Sequence, residues 1–191
     1  MTLKIGDTVA LIDRAMRIAA SFFTPKPAGR QQSRPTARDA HARSGLTLNP
    51  DDVPVEYSIE KHGMPRFSYE PFPDSDADPG EVVWTWVPYE DDPAQGKDRP
   101  VLVLARDGEA VIIAQMTSQD HTSTSISRED HLGRVWMEMG SGDWDRQGRP
   151  SEVRIDRLLA VHKDTIRREG GKLDKTRFTR ITDAIGSFHA R

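Results

Sequence analysis

Apolar positions in this chain change their spacing twice. Ile5, Val9, Ile12, Met16, Ala19 and Phe23 recur at alternating intervals of four and three, so residues 5–23 predict an amphipathic helix. Asp7 stands at an N-cap position, Asp13 and Arg17 form an i,i+4 pair, and Pro25 with Pro27 ends the element. From Thr24 to Asp78 the periodicity is lost. Lys26, Arg30, Arg34, Arg38 and Arg43 make the first part of this stretch basic, while Asp51, Asp52, Glu56, Glu60, Glu70, Asp74, Asp76 and Asp78 make the second acidic. With prolines recurring throughout, it predicts a flexible linker over 24–79 and leaves room for a short ordered piece in Val53–Tyr69. The folded domain is expected to begin near Gly80.

Beyond Gly80 the pattern is that of short strands. Glu81–Val87 alternates, with Val82, Trp84 and Trp86 on one face and Glu81, Val83, Thr85 and Val87 on the other. Pro100–Ala105 and Glu109–Gln115 are β-branched or aliphatic runs around Asp107-Gly108, a two-residue type I′ hairpin signal. Gly133–Met139 and Glu152–Val161 are further candidate strands, on either side of the glycine-rich stretch Gly140–Pro150. Five short strands without long crossover helices predict a mainly β, α+β fold: a small, strongly curved barrel. A helix follows, with Asp174 as N-cap, Leu173 and Phe178 at hydrophobic-staple positions, and Phe178, Ile181, Ile185 and Phe188 as its stripe.

Composition narrows the classes. A chain of 191 residues holds one medium domain, or a smaller one with an extension. The net charge of −3 gives no global support for nucleic-acid binding, so any RNA or DNA site must be a local basic patch. Cysteine is absent, which excludes disulfides and thiolate metal sites. No apolar run reaches the roughly 18 to 20 residues of a membrane span. Asp7 and Asp13 make the N-terminal region a poor signal peptide, so a cytoplasmic protein without membrane association is expected.

Few residue types here suit phosphodiester chemistry. Arg99 follows the polar loop Tyr89–Asp98 and precedes Pro100, which holds it extended and sets its side chain at the barrel rim. A guanidinium matches two phosphate oxygens, although an ordinary salt bridge to Asp91, Asp92 or Asp98 is the commoner fate of such an arginine. Thr117 and Ser118 end the third strand, where their hydroxyls either stabilise a developing phosphorane or simply terminate the strand. Arg154 and Asp156 share a strand face, either acting together on a phosphate and a base edge or pairing with neighbours. His121, His131 and His162 lack metal-ligand spacing, and His121 is close enough to Thr117 in sequence to be a peripheral acid/base candidate. Gly140-Ser141-Gly142 departs from the Gly-x-Ser-x-Gly pattern of a serine hydrolase, and no glycine loop has phosphate-cradling spacing. Trp84, Trp86, Trp136 and Trp144 are candidates for base stacking, with burial the expected fate of the first three.

Taken in order, these elements resemble the PemK/MazF toxin family. Gly80-Glu81-Val82-Val83-Trp84 is similar to that family's G-[DE]-[IV]-V-W strand, and Gly96-Lys97-Asp98-Arg99-Pro100 to its G-x-x-R-P element. Met116-Thr117-Ser118 is similar to its I-T-S-like element, and Val153-Arg154-Ile155-Asp156 to its late arginine and aspartate. The likeness covers most of Gly80–Phe188. It implies an SH3-like barrel with a C-terminal helix, assembled as a homodimer, and a cognate antitoxin whose extended tail covers the RNA groove and through which the complex binds DNA. It also implies a cofactor-free, metal-independent endoribonuclease in which a ribose 2′-OH of single-stranded RNA attacks, leaving a 2′,3′-cyclic phosphate and a free 5′-OH. By that resemblance Arg99 is the main catalytic residue, Thr117 stabilises the pentacoordinate state and Ser118 helps. Lys97 and His121 are expected to contact RNA, as are Arg154 and Asp156, which assist in positioning RNA or in acid/base work.

The stretch Gln119–Pro150 is longer and more charged than in compact members. Glu90, Asp91 and Asp92 repel RNA unless they are paired, with Lys97 or Arg106 as the nearest candidates. A non-catalytic barrel that binds RNA or a protein partner is the alternative reading. The apolar face of the 5–23 helix needs a partner in the barrel, a second subunit or an antitoxin, and the linker is long enough for it to act as a lid.

Overall fold

A computed structural model describes residues 46–118 and 127–190; the helix expected over 5–23, the first part of the linker and His121 lie outside them. In chain order the elements are β1 (Val55–Glu56), α1 (Ile59–His62), β2 (Glu81–Pro88), β3 (Gly96–Asp107), β4 (Ala110–Thr117), β5 (Ser127–Glu129), β6 (Val135–Gly140), β7 (Ser151–His162), β8 (Arg168–Lys172) and α2 (Lys175–His189). The strands form one antiparallel sheet in the order β5-β6-β7-β4-β3-β2-β8, with β1 on β7. Register shifts occur at Val82/Val83, Val103/Ala105, Ala114/Met116 and Glu138/Gly140. Such bulges bend a strand and increase its twist, and the sheet curls into a half-barrel, a small β-barrel architecture with a C-terminal helix.

The central strands are apolar on both faces because both are covered. One face carries Leu102, Leu104, Ile112, Ala114, Val153 and Leu158, packed with Phe178, Ile181 and Ile185 of α2. The other carries Val83, Val101, Val103, Val111, Ile113, Leu159 and Val161. The helix begins as its sequence predicts: the Asp174 carboxylate accepts from the Arg177 backbone N–H at 2.9 Å, and Leu173 and Phe178 are both buried. Burying the three stripe residues stabilises the fold by about 1.5–3 kcal/mol each.

Two expectations are corrected. Asp107 pairs with Ala110, so the β3–β4 turn residues are Gly108 and Glu109, not Asp107 and Gly108. Gly108 has φ +60 while no described non-glycine residue has positive φ. A type I′ turn needs positive φ at both central positions, and a single leading glycine gives type II′.

The second correction concerns the linker, whose latter half packs on the barrel. The Tyr57 backbone N–H donates to the Leu158 carbonyl at 2.9 Å, and its ring is buried. Leu46, Leu48, Ile59, Phe67 and Tyr69 pack against the same core, and the Tyr69 hydroxyl donates to the Leu173 carbonyl at 2.7 Å. Isolated aromatic anchors in an extended segment have neither helical nor strand period, so an acidic, proline-rich stretch conceals them.

Candidate active site

Adjacent strands bring Arg99 and Thr117 together. The β3–β4 ladder ends at Val101 and Gln115, and Arg99 and Thr117 lie two residues beyond it on their strands. The glycine ahead of Arg99 is required by close approach, since a Cβ on Gly96 would lie 2.5 Å from both the Trp86 ring and the Val87 carbonyl oxygen. Both residues open into a cleft of about 570 Å³ that Lys97, Ser118 and Trp84 also line. Of the residues expected at the site, Lys97, Arg99, Thr117 and Ser118 thus meet in one place.

The cleft is cationic within an acidic chain. Asp98 at its edge is ion-paired with Arg167, and Asp92 is used within its own turn, accepting from the Ala94 N–H and the Gln95 amide. Arg99 is half-buried and makes no ion pair among the described residues; the expected salt bridge to a neighbouring aspartate is not formed. Burial lowers the proton affinity of the Arg99 guanidinium, Tyr89 pulls the other way, and Arg134 adds to the lowering. A partly desolvated cation without a carboxylate partner favours an incoming anion.

Arg154 and Asp156 sit outside the cleft's lining. Arg154 is buried, its Nε donating to Asp156 at 3.0 Å and its Nη1 to Glu90 at 2.5 Å. Asp156 also accepts from the Val135 backbone N–H at 2.8 Å, and Glu90 bonds Arg134 at 3.0 Å. Burial disfavours the Arg154 charge, but hydrogen bonds to Asp156 and Glu90 outweigh it and raise the arginine's proton affinity. For Glu90 burial likewise opposes ionisation, and the Arg154 hydrogen bond with the charges of Arg154 and Arg134 brings the carboxyl below its ordinary value. The loop carboxylate Glu90 is therefore neutralised by Arg154 and Arg134. Arg106, a candidate for that task by sequence, instead pairs with Asp78 at 3.1 Å.

The remaining candidates are placed elsewhere. His131 is exposed in the β5–β6 turn, and the His162 side chain caps the turn after β7, accepting from the Asp164 N–H at 3.3 Å. No group of three or more His, Asp or Glu among the described residues is arranged to hold a metal ion. Trp84 and Trp86 are half-buried where burial was expected, whereas Trp136 is buried with Nε1 donating to Asp130 at 3.1 Å. Trp144, expected to be the open one, is also buried, with Nε1 donating to the Ser151 hydroxyl at 3.0 Å.

Sequence reasoning missed Arg146, Gln147 and Arg149, which the β6–β7 loop brings to the same cleft. Arg149 is held by Asp145 at 2.8 Å, while Arg146 has no ion-pair partner among the described residues. The loop is anchored to α2: Arg177 Nη1 donates to the Met139 carbonyl at 2.9 Å and the Ser141 carbonyl at 3.0 Å, and its guanidinium lies 6.0 Å from the centre of the Trp144 ring. Two arginines and a glutamine between Gly142 and Pro150 were the available signal.

A solved structure described as "Endoribonuclease in complex with its cognate antitoxin from Mycobacterial species" is 16% identical, with a TM-score of 0.41, over 59% of this chain and 93% of that one. No curated protein matches the sequence. Residues 78–189 match the family described as PemK-like, MazF-like toxin of type II toxin-antitoxin system. With more than half of its length inside that match, the chain belongs to the PemK-like, MazF-like toxins of type II toxin–antitoxin systems.

Proposed function

We propose that this toxin is an endoribonuclease that cuts single-stranded RNA without a metal ion. The carrying observation is Arg99: half-buried, without a carboxylate partner among the described residues, and lining one cleft with Thr117 and Lys97. In the reaction a ribose 2′-oxygen bonds to the adjacent phosphorus as the P–O5′ bond breaks. One proton leaves the 2′-OH, one reaches the 5′-oxygen, and the products are a 2′,3′-cyclic phosphate and a free 5′-OH. Arg99 neutralises the phosphate and relays the proton; its lowered proton affinity eases donation to the leaving oxygen. Thr117 donates to the charge developing on phosphorus-bound oxygen, Ser118 assists, and Lys97 holds a neighbouring phosphate.

Arg154 and Asp156 serve by position. With Glu90 they tie the β2–β3 loop to β7, the loop that delivers Lys97 and Arg99. The protein acts as a homodimer, and a cognate antitoxin silences it by covering the cleft.

Purified protein mixed with structureless RNA in EDTA tests the proposal. Cleavage with cyclic-phosphate ends is expected, and Arg99→Ala should lower kcat on the order of 10²-fold or more. RNA binding without cleavage would leave a non-catalytic barrel as the reading.

A further inference from the structure

We infer that the β6–β7 loop grips single-stranded RNA beside the scissile phosphate through Arg146 and Gln147, and that it selects the sequence to be cut. This rests on the endoribonuclease reading of the same cleft.

The loop is a fixed wall. Its start is held by Arg177, its middle by the Trp144–Ser151 hydrogen bond, and its return by the Ser141 hydroxyl donating to the Gly148 carbonyl at 2.8 Å. Arg146 and Gln147 are exposed on this support and face the cleft that contains Arg99. The cleft has room for more than one phosphate group. A cleft of about 570 Å³ falls in the roughly 300–1,000 Å³ range of pockets that enclose whole ligands.

The chemistry narrows the ligand further. Arg146, without an ion-pair partner among the described residues, offers a cation for a flanking phosphate, and the Gln147 amide both donates and accepts, as a base edge requires. Trp84 lines the same cleft and presents a ring for stacking. An acidic protein segment would use the arginine but has no need of the amide or the ring, so RNA is the better occupant.

Short single-stranded RNAs and a mixed-sequence RNA provide the test. Arg146→Ala should raise KM about tenfold with kcat changed less than about twofold. It should also reduce the slope of log affinity against log salt by about 0.7. Gln147→Ala should keep that slope and change the base preferred next to the cut, read by sequencing fragment ends. Unchanged KM, salt slope and cut pattern in both variants, with Arg99→Ala still inactive, would overturn the inference and leave the catalytic reading intact. If the wild type binds RNA but does not cut it, the catalytic reading fails alone, and the loop is judged by the variants' Kd for the same RNAs. A wild type that binds no RNA overturns both. Both substituted side chains are exposed, and an unchanged thermal midpoint in each variant separates lost contact from lost fold.

Discussion

A cation acquires its role from the carboxylates within reach. Arg154 and Arg99 belong to neighbouring parts of the barrel, yet Arg154 is enclosed by Asp156 and Glu90 while Arg99 has no carboxylate partner among the described residues. The first is occupied and the second is available to a phosphate. Glu90 makes this division testable. Its folded proton affinity is lowered, so its contribution to stability is complete above the unfolded value of about 4.3 and disappears as pH falls through the lower folded value. Glu90→Gln should lower stability at pH 7 by about 1 kcal/mol, because solvent screens this partly exposed carboxylate, and its stability should fall less steeply below pH 5 than the wild type's, by urea titration across pH. Arg99 and Thr117 were legible in the sequence because each lies within a few residues of its motif. The Glu90 partner of Arg154 was not, since it is 64 residues away and only the curled sheet brings them together.

Among the elements, five of the eight strands were legible to within a few residues because one face or both had to be apolar, whereas the short β1, β5 and β8 have no such pattern. The helix α2 was clearer still, with cap, staple and stripe each in place. What escaped was the segment before β2, where burial depends on single rings instead of a repeating pattern. Tyr69 contacts the Phe178 ring at 5.5 Å between centroids as well as bonding Leu173, so it fastens this segment to the start of α2. Tyr69→Ala should cost about 3 kcal/mol in chemical denaturation. Removing residues 1–79 should do worse, exposing the core positions now covered by Tyr57, Phe67 and Tyr69. A truncated protein as stable as the full chain would show that these contacts contribute little.

The molecule as a whole concentrates positive charge locally against a net charge of −3. Lys97, Arg99 and Arg146 line the cleft without ion-pair partners among the described residues, while Asp98 and Asp145 there are already engaged by arginines. If these three cations each meet one phosphate, log affinity for single-stranded RNA should fall against log salt with a slope of about −2. Fluorescence anisotropy from low to high salt reads it directly, and a flat response would exclude phosphate contact as the source of binding. Composition alone had required a local patch without locating it. One of the three cations, Arg146, comes from the β6–β7 loop, whose charged residues carry no strand or helix period.

Arg177 joins the start of α2 to the wall of the cleft, and in the chain it follows every residue that lines the cleft. Synthesis therefore delivers Arg99, Thr117 and Arg146 to the solvent before the residue that secures their surroundings has been added. A nascent chain stalled before α2 would carry the reactive groups without the brace that holds the wall beside them. The cleft is thus completed only when α2 packs onto the sheet.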